Sequence, residues 1–143
     1  MKKKLESRNV IISIKPEFAL RIIEGEKTIE LRRRFPTNEV KGGIAIIYAS
    51  SPIQKIIGYV VISEVEKLPV SQIWDIYSKE MCVKKRFFKE YFKGLTEGFA
   101  IKLSKPVKLT RPFDIKQLKA TYKFSAPQSY RYAPAKILEA LEE

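Results

Sequence analysis

Histidine is absent from all 143 residues, and cysteine (Cys82) and tryptophan (Trp74) occur once each. Without imidazole there is no Ser-His or Cys-His triad, no His-containing zinc site and no histidine general base. Any chemistry falls to Glu, Asp, Lys, Tyr, Ser or Thr. A single cysteine cannot form an intramolecular disulfide, which fits a reducing compartment, and leaves no thiolate cluster for zinc or iron and sulfur. No metal site and no cofactor are expected. Cys82 itself reads as a small buried core residue, as free cysteines usually are. Long apolar runs are also missing: nothing approaches the roughly 18 consecutive apolar residues of a membrane span. The charged start of the chain precedes only a short apolar run and does not read as a secretory leader. The expectation is a cytoplasmic protein with no membrane partner.

Acidic residues are scarce against basic ones, 16 Asp and Glu against 28 Lys and Arg, for a formal charge of +12. An excess of that size points to an anionic partner. The apolar fraction of 45% suits one folded domain with a real core. We divide the chain into a basic tail (residues 1–8) and a single domain (residues 9–143), with no repeat, linker or low-complexity segment.

Val10-Ile11-Ile12-Ser13-Ile14 is a β-branched run that reads as a buried strand. Pro16 and Glu17 then suit the first turn of a helix, and Gly25 suits its left-handed end. Thr28-Ile29-Glu30-Leu31-Arg32 alternates with the period of a half-buried strand, Ile29 and Leu31 inward. After a turn-rich loop, residues 44–49 and 56–65 read as strands, with Gly58 marking a bulge or a close backbone approach. Residues 70–77 and 84–91 read as helices and residues 99–103 as a strand. A short helix after Asp114, an irregular aromatic tail at Tyr130-Arg131-Tyr132 and a final helix over residues 134–141 complete the chain. This order predicts an α+β fold, a mixed barrel with helices at its ends.

The most informative segment is Gly25-Glu26-Lys27-Thr28-Ile29-Glu30-Leu31-Arg32. It sets Glu30 and Arg32 two apart on one strand face, with Lys27 at the strand's mouth. A carboxylate and a guanidinium held on a strand suit the polar edge of a nucleobase or a phosphate. The same spacing also suits an ion pair that merely closes the end of a sheet.

Gly25-x-Lys27-x-x-Glu30-x-Arg32 resembles the signature of the ASCH (activating signal cointegrator homology) family, a branch of the PUA-like superfamily. Tyr48-Ala49-Ser50-Ser51-Pro52 and Ile56-x-Gly58 resemble segments of its small prokaryotic members. The resemblance implies a PUA-like β-barrel with a cleft beside the motif strand, and binding of RNA or modified nucleobases. It also implies an enzymatic alternative. Some small members remove the acetyl group of N4-acetylcytidine with a lysine and a threonine of the signature plus a later glutamate, and others are ribonucleases. Lys27 matches that lysine, whereas Glu30 stands where the threonine nucleophile would be. Thr28 lies two positions earlier. Asp75, Glu80 and Glu90 are candidates for the third acid.

The main expectation is a module that binds RNA, single-stranded, or a modified nucleoside. In it Glu30 and Arg32 hold the ligand's polar edge, Lys27 meets a phosphate or carbonyl oxygen, and Arg33 and Arg34 add positive field. Tyr48, Ser50 and Ser51 sit at a strand end where they can hydrogen-bond a base or simply form the turn. Tyr130, Arg131 and Tyr132 suit stacking of unpaired bases, or docking of the tail on the barrel. Phe87, Phe88, Tyr91 and Phe92 recur at helical spacing and read as core. The alternatives are an amidohydrolase of N4-acylated cytidine using Lys27 and Glu30, a ribonuclease using the same pair, and a protein-interaction module in transcription whose final helix offers Ile137, Leu138 and Leu141 to a protein partner.

Overall fold

A computed structural model describes residues 8–142. Six strands form one mixed sheet: β1 (Val10–Ile14), β2 (Ile29–Arg32), β3 (Ile44–Ala49), β4 (Lys55–Pro69), β5 (Glu97–Asp114) and β6 (Tyr130–Tyr132). Their order is β2-β5-β4-β3-β1-β6. Only β1 and β3 run parallel, and α1 (Pro16–Ile23) lies on the path between β1 and the rest of the sheet. The other helices are α2 (Val70–Tyr77), α3 (Lys85–Tyr91), α4 (Ile115–Tyr122) and α5 (Ala135–Leu141). The sheet curls into a partly closed half-barrel flanked by helices, the α+β architecture that the family resemblance implies.

Local signals act as expected at the first helix. Pro16 opens α1, Glu17 lies in its first turn, and Gly25 takes φ +83° to turn the chain back. That reversal lets the amide N–H groups of Glu26 and Lys27 donate to the Arg21 carbonyl, so the chain enters β2 directly. Asp114 caps α4, its Oδ1 accepting from the Gln117 N–H at 2.8 Å.

The strands run further than their apolar patterns. Pairing between β4 and β5 continues to Pro69 and Glu97, past the charged residues Glu64, Glu66 and Lys67 that interrupt the apolar run. A backbone ladder needs only N–H and C=O groups, so a half-exposed stretch can remain in the sheet. For the same reason Tyr130-Arg131-Tyr132 is a strand and not an irregular tail: it pairs antiparallel with Val10, Ile11 and Ile12 of β1.

Three apolar clusters result. The concave face of the sheet and α1 enclose Val10, Ile12, Ile22, Ile47, Val60 and their neighbours. The convex face holds Ile11, Ile46 and Ile56 against α4, α5 and Phe124. The third cluster packs α2 and α3 on Ile29, Leu31 and Ala100. Ile137 and Leu141 of α5 are buried in the second cluster with Leu138 packed against it, so the face expected to meet a protein partner covers the chain's own barrel. Cys82 also departs from expectation. It is half-exposed, takes φ 53° in the turn between α2 and α3, and lies outside every apolar cluster. Of the basic tail, residues 1–7 lie outside the described residues. Arg8 donates its N–H to the Glu39 carbonyl at 2.7 Å and sets its guanidinium 3.7 Å from the Tyr132 ring centre.

Gly58 serves both of its expected purposes. The β3–β4 register shifts beside it, and a Cβ there would lie 2.3 Å from the Val107 carbonyl oxygen and 2.7 Å from Ile23 Cδ1. Backbone on one side and a buried isoleucine on the other leave little room to yield. Gly58→Ala is therefore expected to destabilise the fold by about 3 kcal/mol. A drop of several degrees in the thermal midpoint would register this, and an unchanged midpoint would contradict it.

Candidate functional site

The signature residues converge at the floor of a cleft of about 440 Å³ between α1, β2, α3 and the segment that precedes β6. Lys27 is only 2% exposed, the most deeply buried charged side chain among the described residues. Its ammonium donates to the Met81 carbonyl, lies 3.6 Å from Glu30 Oε1 and sits 5.4 Å from the Phe18 ring centre. Burial drives the Lys27 pKa below its ordinary value, and the nearby Glu30 carboxylate opposes that shift only in part.

Arg32 is spent on protein groups. A guanidinium has five N–H donors. Nε and Nη2 donate to Glu30 Oε2 at 3.0 and 2.7 Å, Nη2 also to the Ser13 carbonyl at 3.0 Å, and Nη1 to the Ser129 Oγ and carbonyl at 3.1 and 3.4 Å. All five donors are thereby accounted for. These contacts join β2, one edge of the sheet, to β1 and the start of β6 at the other edge. Phe35 on Tyr130, with ring centres 4.9 Å apart, packs across the same gap. The barrel thus closes through side chains where its backbone ladder stops. With Oε2 held by Arg32, Glu30 keeps Oε1 toward Lys27 and the cleft.

Aromatic rings wall the cleft. Phe87 and Tyr91 on α3 lie nearly parallel, 9° apart with centres at 6.0 Å, and Phe18 of α1 is 5.9 Å from Phe87. Phe87 is 39% exposed, which a core residue would not be. Lys15 stands above it, Nζ 5.8 Å from the ring centre. Ser50, Ser51, Gln54 and Gln128 also line the cleft; Tyr48 borders it but is 2% exposed, its ring packed on Phe124 in the second cluster. Burial raises the Tyr48 pKa, so its hydroxyl keeps its proton.

Lys27, Glu30, Arg32, Tyr48, Ser50 and Ser51 therefore line one cleft. Arg33, Arg34, Tyr130 and Tyr132 do not: they line a second concavity of about 540 Å³ on the far side of the Arg32 seam. β2 ends at Arg32 and the chain bends at Arg33 and Arg34, so the arginine run divides between two surfaces. Arg131 is exposed on β6 and lines neither. Among the described residues Glu30 is the only acid lining the first cleft; Asp75, Glu80 and Glu90 are exposed and do not line it, although the Glu80 carbonyl accepts from the Thr28 and Ile29 N–H groups, and Thr28 is not part of its lining. Glu24 and Glu26 are exposed as well, and among the described residues no three acids or thiols are grouped to hold a metal ion.

The residues that sequence reasoning missed are Phe18, Phe87, Tyr91 and Ser129. A signal existed for two of them. Four aromatics at positions 87, 88, 91 and 92 form two adjacent helical stripes, too wide for one buried face; Phe88 and Phe92 take the core, and Phe87 and Tyr91 the cleft. Ser129 had none, because its role depends on the closure of the barrel.

Comparisons agree with this architecture. The model of the ASCH domain family matches residues 12–128. An ASCH domain-containing ribonuclease of Zymomonas mobilis is 32% identical over 127 residues, which cover 87% of this chain and 83% of that protein. A crystal structure of ASCH from Zymomonas mobilis superposes with a TM-score of 0.88 at 29% identity, over 96% of this chain and 95% of that one. The N-terminal domain of Staphylothermus marinus McrB, 12% identical with a TM-score of 0.58 over 95% and 93% of the two chains, shares the fold alone. No helix among the described residues is long and apolar enough to cross a membrane. With a signature that folds into the floor of one cleft and a family match over most of its length, this chain belongs to the ASCH domain family.

Proposed function

We propose that this protein binds single-stranded RNA by drawing an unpaired or modified nucleobase into the first cleft. The observation that carries this reading is the buried Lys27–Glu30 pair beneath the parallel Phe87–Tyr91 wall. Stacking on such a wall contributes about 1–3 kcal/mol per base. Glu30 Oε1 accepts from an amino group of the base, and Lys27 donates to a carbonyl or phosphate oxygen. Tyr48, Ser50 and Ser51 complete the polar edge. Arg32 has no donor to spare, so it holds Glu30 in place and does not touch the ligand. The charge of +12 supplies long-range attraction for the phosphates.

A ribonuclease is the second reading, favoured by the activity that the Zymomonas mobilis relative's name carries. In this reading the unprotonated form of Lys27, which burial favours, takes the proton of a ribose 2′-hydroxyl. The 2′-oxygen would then attack phosphorus as the 5′-oxygen leaves, the leaving oxygen taking a proton from water in the open cleft. An amidohydrolase acting on N4-acetylcytidine would instead use Glu30 Oε1 to activate water and Lys27 to stabilise the oxyanion.

Anisotropy with a labelled single-stranded hexanucleotide is expected to show binding that weakens with salt, by a slope of about −0.7 per neutralised phosphate. Phe87→Ala should weaken it about tenfold or more. Binding that ignores both salt and this substitution would overturn the proposal. Chromatography of the same RNA, and of N4-acetylcytidine, after incubation separates the readings: shortened chains mark the nuclease, free cytidine the amidohydrolase, and intact substrates a binding module.

A further inference from the structure

The second concavity has its own aromatic and cationic lining. Tyr130 and Tyr132 meet edge to face with centres 6.5 Å apart, and Phe99 stands on the neighbouring wall with Lys67 Nζ 5.9 Å from its centre. Arg8 covers one side of Tyr132. Arg33 is anchored by two bonds from Nη1 to the Tyr91 and Lys93 carbonyls, at the C-terminal end of α3, where a cation is favoured. Arg34 is exposed, and no hydrogen bond or ion pair ties it down among the described residues. Glu39 and Glu97 also line the hollow, Glu97 lying 3.8 Å from Lys67, and give it acceptors beside its cations.

The two hollows are lined by adjoining residues of the same two segments. Arg32 faces the first and Arg33 the second; Gln128 faces the first and Tyr130 the second. The Arg32–Ser129 hydrogen bonds join the two segments in a seam where their linings change over, Ser129 standing between Gln128 and Tyr130. A chain with one base in the first cleft and its neighbour in the second would carry its connecting phosphate over that seam, toward Arg33 and Arg34. Aromatic faces in both hollows, with Arg33 and Arg34 in the second next to the seam, are what successive unpaired nucleotides require.

We propose that the second concavity is a subsite for the nucleotide adjoining the one held in the first cleft. Tyr132 and Phe99 supply the stacking surface, and Arg34 supplies the phosphate contact. The protein on this account reads at least two consecutive nucleotides of a single strand. This rests on the RNA-binding reading above and extends it from one base to a short strand.

The test compares two probes, cytidine monophosphate and a single-stranded hexanucleotide 2′-O-methylated throughout so that it resists cleavage. Arg34→Glu is an exposed substitution without structural partners, and Tyr132→Ala leaves the backbone pairing of β6 available. Each is expected to weaken hexanucleotide binding about tenfold and to leave cytidine monophosphate unchanged, and Arg34→Glu should reduce the hexanucleotide's salt slope. Phe87→Ala should weaken both probes. If Phe87→Ala acts on both probes while Arg34→Glu and Tyr132→Ala, folded by circular dichroism, change neither, the second subsite is refuted and the first reading stands. If the wild-type protein binds neither probe, both fall together.

Discussion

Arg32→Ala is expected to remove about 3–5 kcal/mol of stability, a large share of the roughly 5–15 kcal/mol that holds a domain of this kind. The loss is larger than for an ordinary surface arginine because three things fail together. Glu30, 7% exposed, loses the cation that holds Oε2. The Ser129 carbonyl and hydroxyl lose the donors that reach them from Nη1, and the Ser13 carbonyl loses Nη2. The two edges of the sheet lose the side chain that joins them, and apolar packing such as the Phe35–Tyr130 contact is left to hold the gap. Urea unfolding would measure the change. Arg32→Lys should recover only part of it, since an ammonium cannot reproduce a planar fork directed at three partners. A loss below about 1 kcal/mol for Arg32→Ala would mean that the aromatic packing, not the guanidinium, closes the barrel.

Lys27→Met is expected to separate stability from function. Burial of the ammonium costs the folded state free energy, which its hydrogen bond to the Met81 carbonyl and its ion pair with Glu30 offset only in part. Glu30 retains Arg32 after the substitution, so no carboxylate is stranded. Stability at neutral pH should therefore stay within about 1 kcal/mol of wild type or rise. Ligand affinity should fall about 10- to 100-fold, the worth of a hydrogen bond from a charged donor, and any catalytic turnover should vanish. Lys27 also leaves a signature in pH. Its folded pKa lies below the unfolded value of 10.5, so between the two the unfolded chain binds the extra proton and stability gains as pH rises. The Lys27→Met protein should lack that gain. A variant that unfolds outright would show that Lys27 is a structural strut, and one that binds RNA unchanged would remove it from the proposed site.

The signature was readable because its parts are local. Gly25 ends a helix by taking a conformation that other residues resist, and β2 then presents Glu30 by simple alternation. Gly58 was readable for a similar reason, as a residue without a side chain inside an apolar strand. Arg32 shows where local reading stops. Its spacing from Glu30 suits a ligand clamp and an internal ion pair equally, and the choice depends on Ser129, a residue 97 positions away. Phe87 was misjudged on different grounds: helical periodicity identifies the stripes of a helix but not which of them a neighbouring element covers.

The sequence by itself determined the family, the class of fold, the basic character and the presence of Lys27 and Glu30 at one strand's mouth, because each follows from composition or from neighbours along the chain. Only the tertiary structure decided that Arg32 closes the barrel, that Phe18, Phe87 and Tyr91 form a wall, and that Arg33, Arg34, Tyr130 and Tyr132 belong to a second hollow. Those outcomes depend on how far the sheet curls before its edges meet. Curl is the sum of twists and bulges along many strands, and no short stretch of sequence carries it.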